Sequence, residues 1–316
     1  MIAALIGRRL FAGLATLWVV SLIIFYSVEL LPGDVAAETL GQAATSETVD
    51  AFRRELGLDR PAIERYVTWI AALLRGDLGT SLTTGQPIES IVGPRFENTL
   101  SLALLAAVIA VPLSIALGVL TALFRNTWFD RVANTTTLTT ISFPEFFVAY
   151  ILIAIFSVRL GLFPSSSQLT TASTFGERLH LLVLPALSLT LVVVAHMMRM
   201  TRASIIAILS NSYIEMARLK GCSPFRLVAV HALPNAIGPI AQVIALNLAY
   251  LITGVVIIET VFTYPGMGQL LVNSVARRDL PVVQAACLVF ATIYITLNIL
   301  ADVISILANP RLSHPG

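Results

Sequence analysis

Charged residues are scarce in this 316-residue chain: they make up 12% of it, whereas hydrophobic residues make up 57%. A soluble domain usually carries about 25% charged residues, so this chain has too little charge to cover a large apolar core with a hydrated surface. The apolar residues also lie in long runs, which indicates that lipid is the solvent for much of the chain. The formal net charge of +2 gives no indication of nucleic-acid binding.

Lysine is scarcer still, because Lys220 is the only lysine among the 20 basic residues. A phosphate-binding loop of the G-x-x-x-x-G-K-[ST] type needs a lysine followed by Ser or Thr, and Lys220 is followed by Gly221. The chain therefore has no such loop. If ATP drives its activity, a separate subunit must hydrolyse that ATP.

Signatures of metal binding and catalysis are also missing. Cys222 and Cys287 are far apart and the four histidines are scattered, so the spacing fits neither a disulfide framework nor a metal site. No His is followed by Glu, which excludes H-E-x-x-H, and Thr83 replaces the second glycine of a G-x-S-x-G motif at Ser81. The sequence therefore predicts no metal, no cofactor and no enzymatic activity.

Six apolar runs are each long enough to cross about 30 Å of hydrocarbon as a helix, which takes about 20 residues. The first run follows Arg8 and Arg9, but it exceeds the roughly 7–15 apolar residues of a cleaved signal peptide, so we interpret it as a retained anchor. The sequence predicts an all-α membrane protein with about six transmembrane helices. The predicted spans are Leu10–Leu31, Leu100–Leu123, Ile141–Leu160, Leu181–Met198, Ile237–Ile258 and Val282–Leu307.

The distribution of basic residues predicts the orientation of these spans. With the N-terminus inside, ten basic residues are cytoplasmic and ten are outside, but six of the outer ones lie in the long loop 32–99. Loops longer than about 60 residues translocate largely regardless of charge. Without that loop, ten basic residues inside face four outside, so we expect both termini in the cytoplasm.

The outer loop 32–99 is predicted to be partly helical. Ser46 is a candidate cap for a helix that ends near Gly57, and Asp59 and Pro61 start a second helix. One side of that second helix is apolar, which indicates that it lies on the protein or on the membrane surface; this side carries Ile63, Val67, Ile70 and Leu74. The loop has ten acidic residues and six arginines. This excess of acid fits either a solvated outer face or a docking surface for a partner.

The longest cytoplasmic segment is the loop 199–236. It is interpreted as a helix over Tyr213–Lys220, a turn at Gly221, and a short helix over Ser223–Val230 that ends before Pro234. A helix–glycine–helix element on this side fits a docking knob for a partner. An amphipathic connector with no partner is the alternative interpretation.

At this loop the sequence resembles a known family. Glu215-Met216-Ala217, Gly221 and His231-Ala232-Leu233-Pro234 are spaced like the EAA---G---------I-LP signature of bacterial ABC importer permeases, and more narrowly the chain resembles the dipeptide/oligopeptide/nickel permeases. Further segments support the resemblance in order along the chain: Leu31-Pro32-Gly33-Asp34, Glu55–Pro61, Gly76–Ser81, Ala217–Gly221, Glu259–Gly268, Arg278–Pro281 and Asn309-Pro310-Arg311.

The resemblance implies a type I importer permease in the bacterial inner membrane that takes up peptides or similar small solutes. Its implied partners are a second permease subunit, expected to be a paralogue, two ATPase subunits and an outer substrate-binding protein. The loop 199–236 would hold the coupling helix that docks on the ATPase, with Glu215, Ala217, Gly221, Ser223, Pro224, Phe225 and Arg226 as the docking residues. The chain is then divided into the first transmembrane segment 1–31, the outer loop 32–99, a five-helix core 100–307 and a cytoplasmic tail 308–316.

Three residues depart from the family pattern. Met216 replaces the first alanine of the EAA triplet, Asn309 stands where an Asp is usual before Pro-Arg, and Glu145 occupies a position where a neutral residue is expected. Glu145 follows Pro144, which interrupts helical hydrogen bonding and marks a bend. We expect Glu145 either to line the transport pathway and favour cationic or amine-bearing solutes, or to be a glutamate at a hydrated kink.

Other polar residues inside the predicted spans have structural interpretations. Asp302 shares a helix face with Asn298, which favours a hydrogen bond to another helix. His196 is expected to form structural hydrogen bonds, and Pro112 and Pro185 are expected to bend their spans.

A secondary transporter or channel that works alone is the main alternative function. Such proteins usually contain an internal repeat or a relay of buried acids, and neither is evident in this sequence. An intramembrane enzyme is a third class, for which no nucleophile and base stand out. The sequence does not identify the solute: peptides, nickel complexes, sugars and opine-like compounds are all carried within the family.

Overall fold

The computed structural model describes residues 2–30, 45–55, 57, 59–169 and 174–307. These residues are mostly helical, and the pairing of strand type among them is one isolated bridge between Thr80 and Pro87. The helices are α1 (Ile2–Glu29), α2 (Ser46–Glu55), α3 (Ala62–Leu74), α4 (Ile88–Leu123), α5 (Trp128–Ser142), α6 (Glu145–Leu152), α7 (Phe175–Leu209), α8 (Ser212–Leu219), α9 (Pro224–Arg226), α10 (Leu233–Val261), α11 (Met267–Ala276) and α12 (Leu280–Leu307), with π-helical segments at Ile153–Arg159 and Leu227–Ala232. The predicted all-α class is confirmed.

Five helices in the described part are long and apolar enough to cross a membrane, and a bent pair makes a sixth candidate. The five are α1, α4, α7, the continuous helix Pro224–Val261 and α12. The bent pair consists of α5 and the helix Glu145–Arg159, which meet at an angle of 105°. The sequence prediction of about six spans is therefore confirmed, as is the bend at Pro144.

The helices extend beyond the apolar runs from which they were predicted. The second span begins as a helix at Ile88 instead of Leu100, and the fourth runs over Phe175–Leu209. At the start of the fourth, the Thr174 side chain accepts a hydrogen bond from the Glu177 N–H while the Glu177 side chain accepts one from the Thr174 N–H. This capping box starts the helix in polar sequence, well before its apolar part.

Within the described residues the chain forms two compact units. Unit 1 contains residues from the ranges 1–13, 100–264 and 293–316, and unit 2 contains residues from 14–99 and 265–292. In unit 1 the middle of α7 is almost fully buried, which makes it the central helix of that unit. Unit 2 is centred on Ile88 and Val92 of α4, which pack with Met267, Val282 and Ala286.

In unit 2, α3 packs on α1 through aromatic residues. The Tyr66 ring lies 5.5 Å from that of Phe25, and the Tyr66 hydroxyl shares a hydrogen bond of 2.8 Å with that of Ser21. The predicted apolar face is therefore not the face that contacts α1, since Ile63, Val67 and Leu74 are exposed. Tyr66 and Trp69 lie three residues apart on a neighbouring face of α3, and both rings contact Phe25 of α1.

The start of α2 differs from the prediction by one residue. Ser46 is the first helical residue, and the Thr45 hydroxyl accepts a hydrogen bond of 3.3 Å from the Thr48 N–H. Thr45 therefore caps this helix in place of Ser46, because the Thr45 hydroxyl accepts from a backbone N–H of the first turn that has no partner within the helix.

Some predictions fall on residues outside the described part. They are the segment Leu31-Pro32-Gly33-Asp34, two leucines of the segment Glu55–Pro61, and the tail 308–316 with Asn309-Pro310-Arg311. The topological division of the chain into membrane core, outer loop and tail stays a prediction.

Candidate functional site

The predicted coupling segment is built around a sharp turn at Gly221. The helix α8 ends at Leu219, and Gly221 has a φ of +86°. The Gly221 N–H donates to the Arg218 carbonyl at 2.9 Å, and the Cys222 N–H donates to the Ala217 carbonyl at 3.2 Å. This pair of bonds is a Schellman cap, which requires left-handed backbone at the residue that follows the helix. A side chain at Gly221 would oppose that conformation.

A second cap starts the next helix directly after this turn. The Ser223 side chain accepts a hydrogen bond of 3.4 Å from the Arg226 N–H. Pro224 is the first residue of α9, a position whose backbone N–H has no hydrogen-bond partner within a helix. Two caps on either side of Gly221 and Cys222 therefore fix the direction of both helices.

The prediction that the second helix ends before Pro234 was wrong. The chain stays helical from Pro224 to Val261, with the π-helical segment Leu227–Ala232 just ahead of Pro234. A proline ring clashes with the carbonyl four residues earlier in an α-helix. We attribute the continuity to the wider π-helical turn, whose bonds reach five residues back and leave room for the ring.

One side of the coupling segment is anchored and the other is bare. Ile214, Leu227 and Val228 are buried, with Val228 in a cluster with Ile205 of α7. On the bare side Leu219 is 77% exposed and Phe225 is 71% exposed. Of the predicted docking residues, Ala217 is half-buried, and those exposed are Glu215, Gly221, Ser223, Pro224, Phe225 and Arg226.

Glu145 lies at the break between α5 and α6. The chain is extended at Phe143, with ψ 139°, and α6 begins at Glu145 directly after Pro144. The carboxylate of Glu145 reaches the backbone of α10, because Gly254 has no side chain there. A Cβ built on Gly254 would lie 2.8 Å from Glu145 Oε2.

A cavity of about 390 Å³ opens beside the Glu145 carboxylate. Glu145 Oε2 is buried and has no hydrogen-bond partner in the described part of the chain. The cavity is lined from three helices by Ile141, Ser142, Phe143, Pro144, Glu145, Phe146, Val192, His196, Tyr250, Thr253, Gly254 and Ile257. His196, predicted as a structural hydrogen-bonder, has its ring 6.0 Å from that of Tyr250, so it belongs to the same cavity wall.

A buried ion pair in unit 1 was missed by the sequence analysis. Arg202 of α7 donates two hydrogen bonds of 2.8 Å to Asp130 of α5. The Asp130 carboxylate also accepts from the Asn134 side chain at 2.6 Å and from the Asn126 N–H at 3.0 Å. The sequence signal was the helix start at Thr127, which places Asp130 in the first turn; its partner lies 72 residues away.

A similar carboxylate in unit 2 was also missed. The Asp279 carboxylate accepts hydrogen bonds from the Ser81 hydroxyl, from the Leu82 N–H at 3.1 Å and from the Thr83 hydroxyl at 2.6 Å. Asp279 itself is 2% exposed. It joins two of the segments that carry the family resemblance, Gly76–Ser81 and Arg278–Pro281.

The predicted role of Asp302 between helices has a partner in the structure. Asp302 lies 3.0 Å from Arg9 of α1 in an ion pair that is partly exposed. Asn298, which was expected to share this role, donates to the Tyr294 carbonyl of its own helix at 2.8 Å. Among the described residues, the ion pair of Asp302 is therefore the polar contact from this face to another helix.

Comparisons with known proteins identify the family of this chain. Residues 114–314 match the model of the family "Binding-protein-dependent transport system inner membrane component", and residues 1–103 match the model of its N-terminal region. The chain is 36% identical over 314 residues to a Brucella melitensis protein whose assigned name is that of a peptide transport system permease, covering 99% of this chain and all of that one. It is also 36% identical over 307 residues to the glutathione transport system permease GsiC of Escherichia coli K12, covering 97% and 98% of the two chains.

The family consists of membrane components that work with a binding protein and an ATPase, so a transporter that works alone and an intramembrane enzyme are both disfavoured. Together with the six candidate spans, these matches show that the chain belongs to the family of inner-membrane permease components of binding-protein-dependent ABC transport systems.

Proposed function

We propose that this permease takes up short peptides or closely similar small solutes, and that α8, Gly221 and α9 form its docking surface for an ATPase subunit. The solute class is supported by relatives of nearly equal length that are named as peptide and glutathione permeases. The complete transporter would contain this chain, a paralogous permease, two ATPase subunits and an outer binding protein. Both termini would lie in the cytoplasm.

The observation that carries the docking proposal is the bare side of the coupling segment. Large apolar side chains exposed together are unusual on a finished protein surface and mark an interaction site. Here Leu219 and Phe225 stand beside the charged residues Glu215 and Arg226, all exposed. Exposed apolar side chains next to charged ones in the chain are a composition found at protein interfaces.

The caps make this surface rigid, which a coupling element requires. The two caps fix the backbone on both sides of Gly221, and Ile214 and Leu227 hold the segment on unit 1. A push on Phe225 would therefore move α10 as a body instead of being absorbed by a loose loop.

The test is ATP-driven uptake by the complete transporter in proteoliposomes, with and without a change at the turn. Gly221→Pro fixes φ near −65° and removes the N–H that donates to Arg218, so we expect uptake to fall at least about tenfold and the ATPase to dissociate more readily. Glu215→Arg reverses one charge on the rim and should weaken ATPase binding with the permease still folded.

Gly161→Pro is the matched control for the turn. Gly161 also has a positive φ, +61°, and its N–H donates to the Ser157 carbonyl at 3.1 Å, but it lies outside the coupling segment. Equal loss of ATPase binding in the Gly161 and Gly221 variants would contradict the docking proposal. Uptake without ATPase subunits would contradict the assigned mode of transport.

A further inference from the structure

Glu145 is a half-buried acid on the wall of its cavity, and the described part of the chain places no permanent cation beside it. No Arg or Lys lines its cavity. The Tyr250 side chain forms a hydrogen bond with the Glu145 carboxylate, and His196 interacts with it electrostatically. Burying a carboxylate oxygen without a hydrogen bond costs free energy, and acids at membrane depth usually face a cavity or a partner. The half-buried Glu145 side chain therefore lines a cavity in which it can accept a hydrogen bond from a donor that enters.

The surroundings of Glu145 favour a cationic nitrogen as that donor. The cavity presents the rings of Phe143, Phe146 and Tyr250 beside a single carboxylate. Aromatic faces attract ammonium groups, and a carboxylate accepts charge-assisted hydrogen bonds from them. An anionic group would instead meet the charge of Glu145 without a basic residue to offset it.

Gly254 contributes to the site because it has no side chain to occupy the space beside the Glu145 carboxylate. Since a Cβ at this position would come within 2.8 Å of Glu145 Oε2, the carboxylate reaches α10 only because residue 254 is glycine. The cavity of about 390 Å³ is larger than one water molecule needs, so it has room for part of a small solute.

We propose that Glu145 binds the ammonium group of the transported solute in this cavity and so favours solutes that carry a free amine. This proposal rests on the proposed function, because it assigns the chemistry of the solute that the permease carries. One carboxylate without a second acid beside it in the cavity lining provides only moderate affinity, which suits a pathway from which the solute must also leave.

The experiment measures uptake of alanyl-alanine by the complete transporter in proteoliposomes, with butylammonium or butanol as inhibitor. The two inhibitors have the same chain length, and only the first is a cation. In the wild type we expect butylammonium to inhibit uptake and butanol to have little effect. Glu145→Gln should lower uptake of the dipeptide about tenfold, the value of a hydrogen bond between charged groups, and should abolish the difference between the inhibitors.

Two further variants keep the test decisive if Glu145→Gln is poorly produced. Glu145→Asp keeps the charge and should keep the preference for butylammonium, whereas Gly254→Ala displaces the carboxylate and should weaken it. Gly176→Ala is the matched glycine control, since a Cβ there meets no atom within 4 Å.

The outcomes separate this proposal from the function on which it rests. If the wild type takes up the dipeptide but Glu145→Gln leaves the response to butylammonium unchanged, the ammonium site is wrong and the solute class stands. The site is also wrong if butylammonium and butanol inhibit the wild type equally. If the wild type takes up no dipeptide, the proposed solute class is wrong and the ammonium site falls with it.

Discussion

Asp130 lies on α5 and Glu145 lies on α6 of the same bent helix pair, and their carboxylates differ in the number of hydrogen bonds that they accept. The Asp130 carboxylate receives four hydrogen bonds, two of them from Arg202, and is 4% exposed. Glu145 keeps one buried oxygen without any partner in the described residues. The first acid is a structural tie between α5 and α7, and the second is open toward a cavity. Acids in one membrane region therefore differ in role according to how fully their oxygens are bonded.

Breaking the ion pair between Asp130 and Arg202 should lower the free energy of unfolding more than the other changes considered below. Asp130→Asn leaves the Arg202 guanidinium without its charged partner in a partly buried site. Removing one member of a buried pair costs about 3–5 kcal/mol. Thermal unfolding of the purified permease in detergent should show a correspondingly lower midpoint than the wild type.

Arg131→Ala is the control for that experiment, because Arg131 is exposed on the same helix and should change stability by less than about 0.5 kcal/mol. The double variant Asp130→Asn, Arg202→Gln should be less destabilised than the sum of the single changes. Additive effects would mean that the two residues do not stabilise the fold as a pair.

Asp279 offers the same comparison in unit 2 with a smaller expected effect. Asp279→Asn exchanges a carboxylate that accepts from Ser81 and Thr83 for a neutral amide, at a cost of about 1.5–3 kcal/mol. The loss should be local, so amide hydrogen exchange around Ser81 should speed up. Asp59→Asn changes an exposed acid of the same outer region and should leave that exchange unaltered.

Glu145→Gln, unlike the changes at Asp130 and Asp279, should not lower the free energy of unfolding. The amide removes the charge of a half-buried carboxylate that has one buried oxygen without a hydrogen bond among the described residues, so the free energy of unfolding should stay constant or rise by up to about 1 kcal/mol. The same variant should lose selectivity in transport. A clear fall in its unfolding midpoint would show that Glu145 is a structural acid like Asp130.

The ion pair between Arg9 and Asp302 should give the smallest effect. Their side chains are 56% and 33% exposed, and exposed pairs contribute about 0–1 kcal/mol. Asp302→Asn should therefore shift the unfolding midpoint only slightly. A shift as large as that of Asp130→Asn would show that burial is not what separates these acids.

The features that the sequence predicted correctly are local ones. Each span follows from its own apolar run, the turn at Gly221 follows from glycine's access to positive φ, and the bend follows from Pro144. These properties depend on residues that are close to one another in the sequence, within a single helix or turn.

The features that the sequence did not predict depend on distant partners. Arg202 lies 72 residues from Asp130, and Asp279 lies 198 residues from Ser81. Only tertiary packing brings them together, so the sequence did not distinguish Asp130 from other acids near a span end. The sequence singled out Glu145 because it follows Pro144. The position of its buried Oε2 atom, however, depends on the absence of a side chain at Gly254 of α10, which is distant in the sequence.

The helix from Pro224 to Val261 would act as a lever in the proposed docking arrangement. Thirty residues separate Pro224, beside the docking residue Phe225, from Gly254 in the cavity wall, which corresponds to about 45 Å of helix. A tilt of about 5° about the docking end would displace the wall by about 4 Å over that length. A small rotation at the ATPase would thus be magnified into a change of cavity width at Glu145. The arm stays helical through the π-helical segment Leu227–Ala232, Pro234 and Pro239.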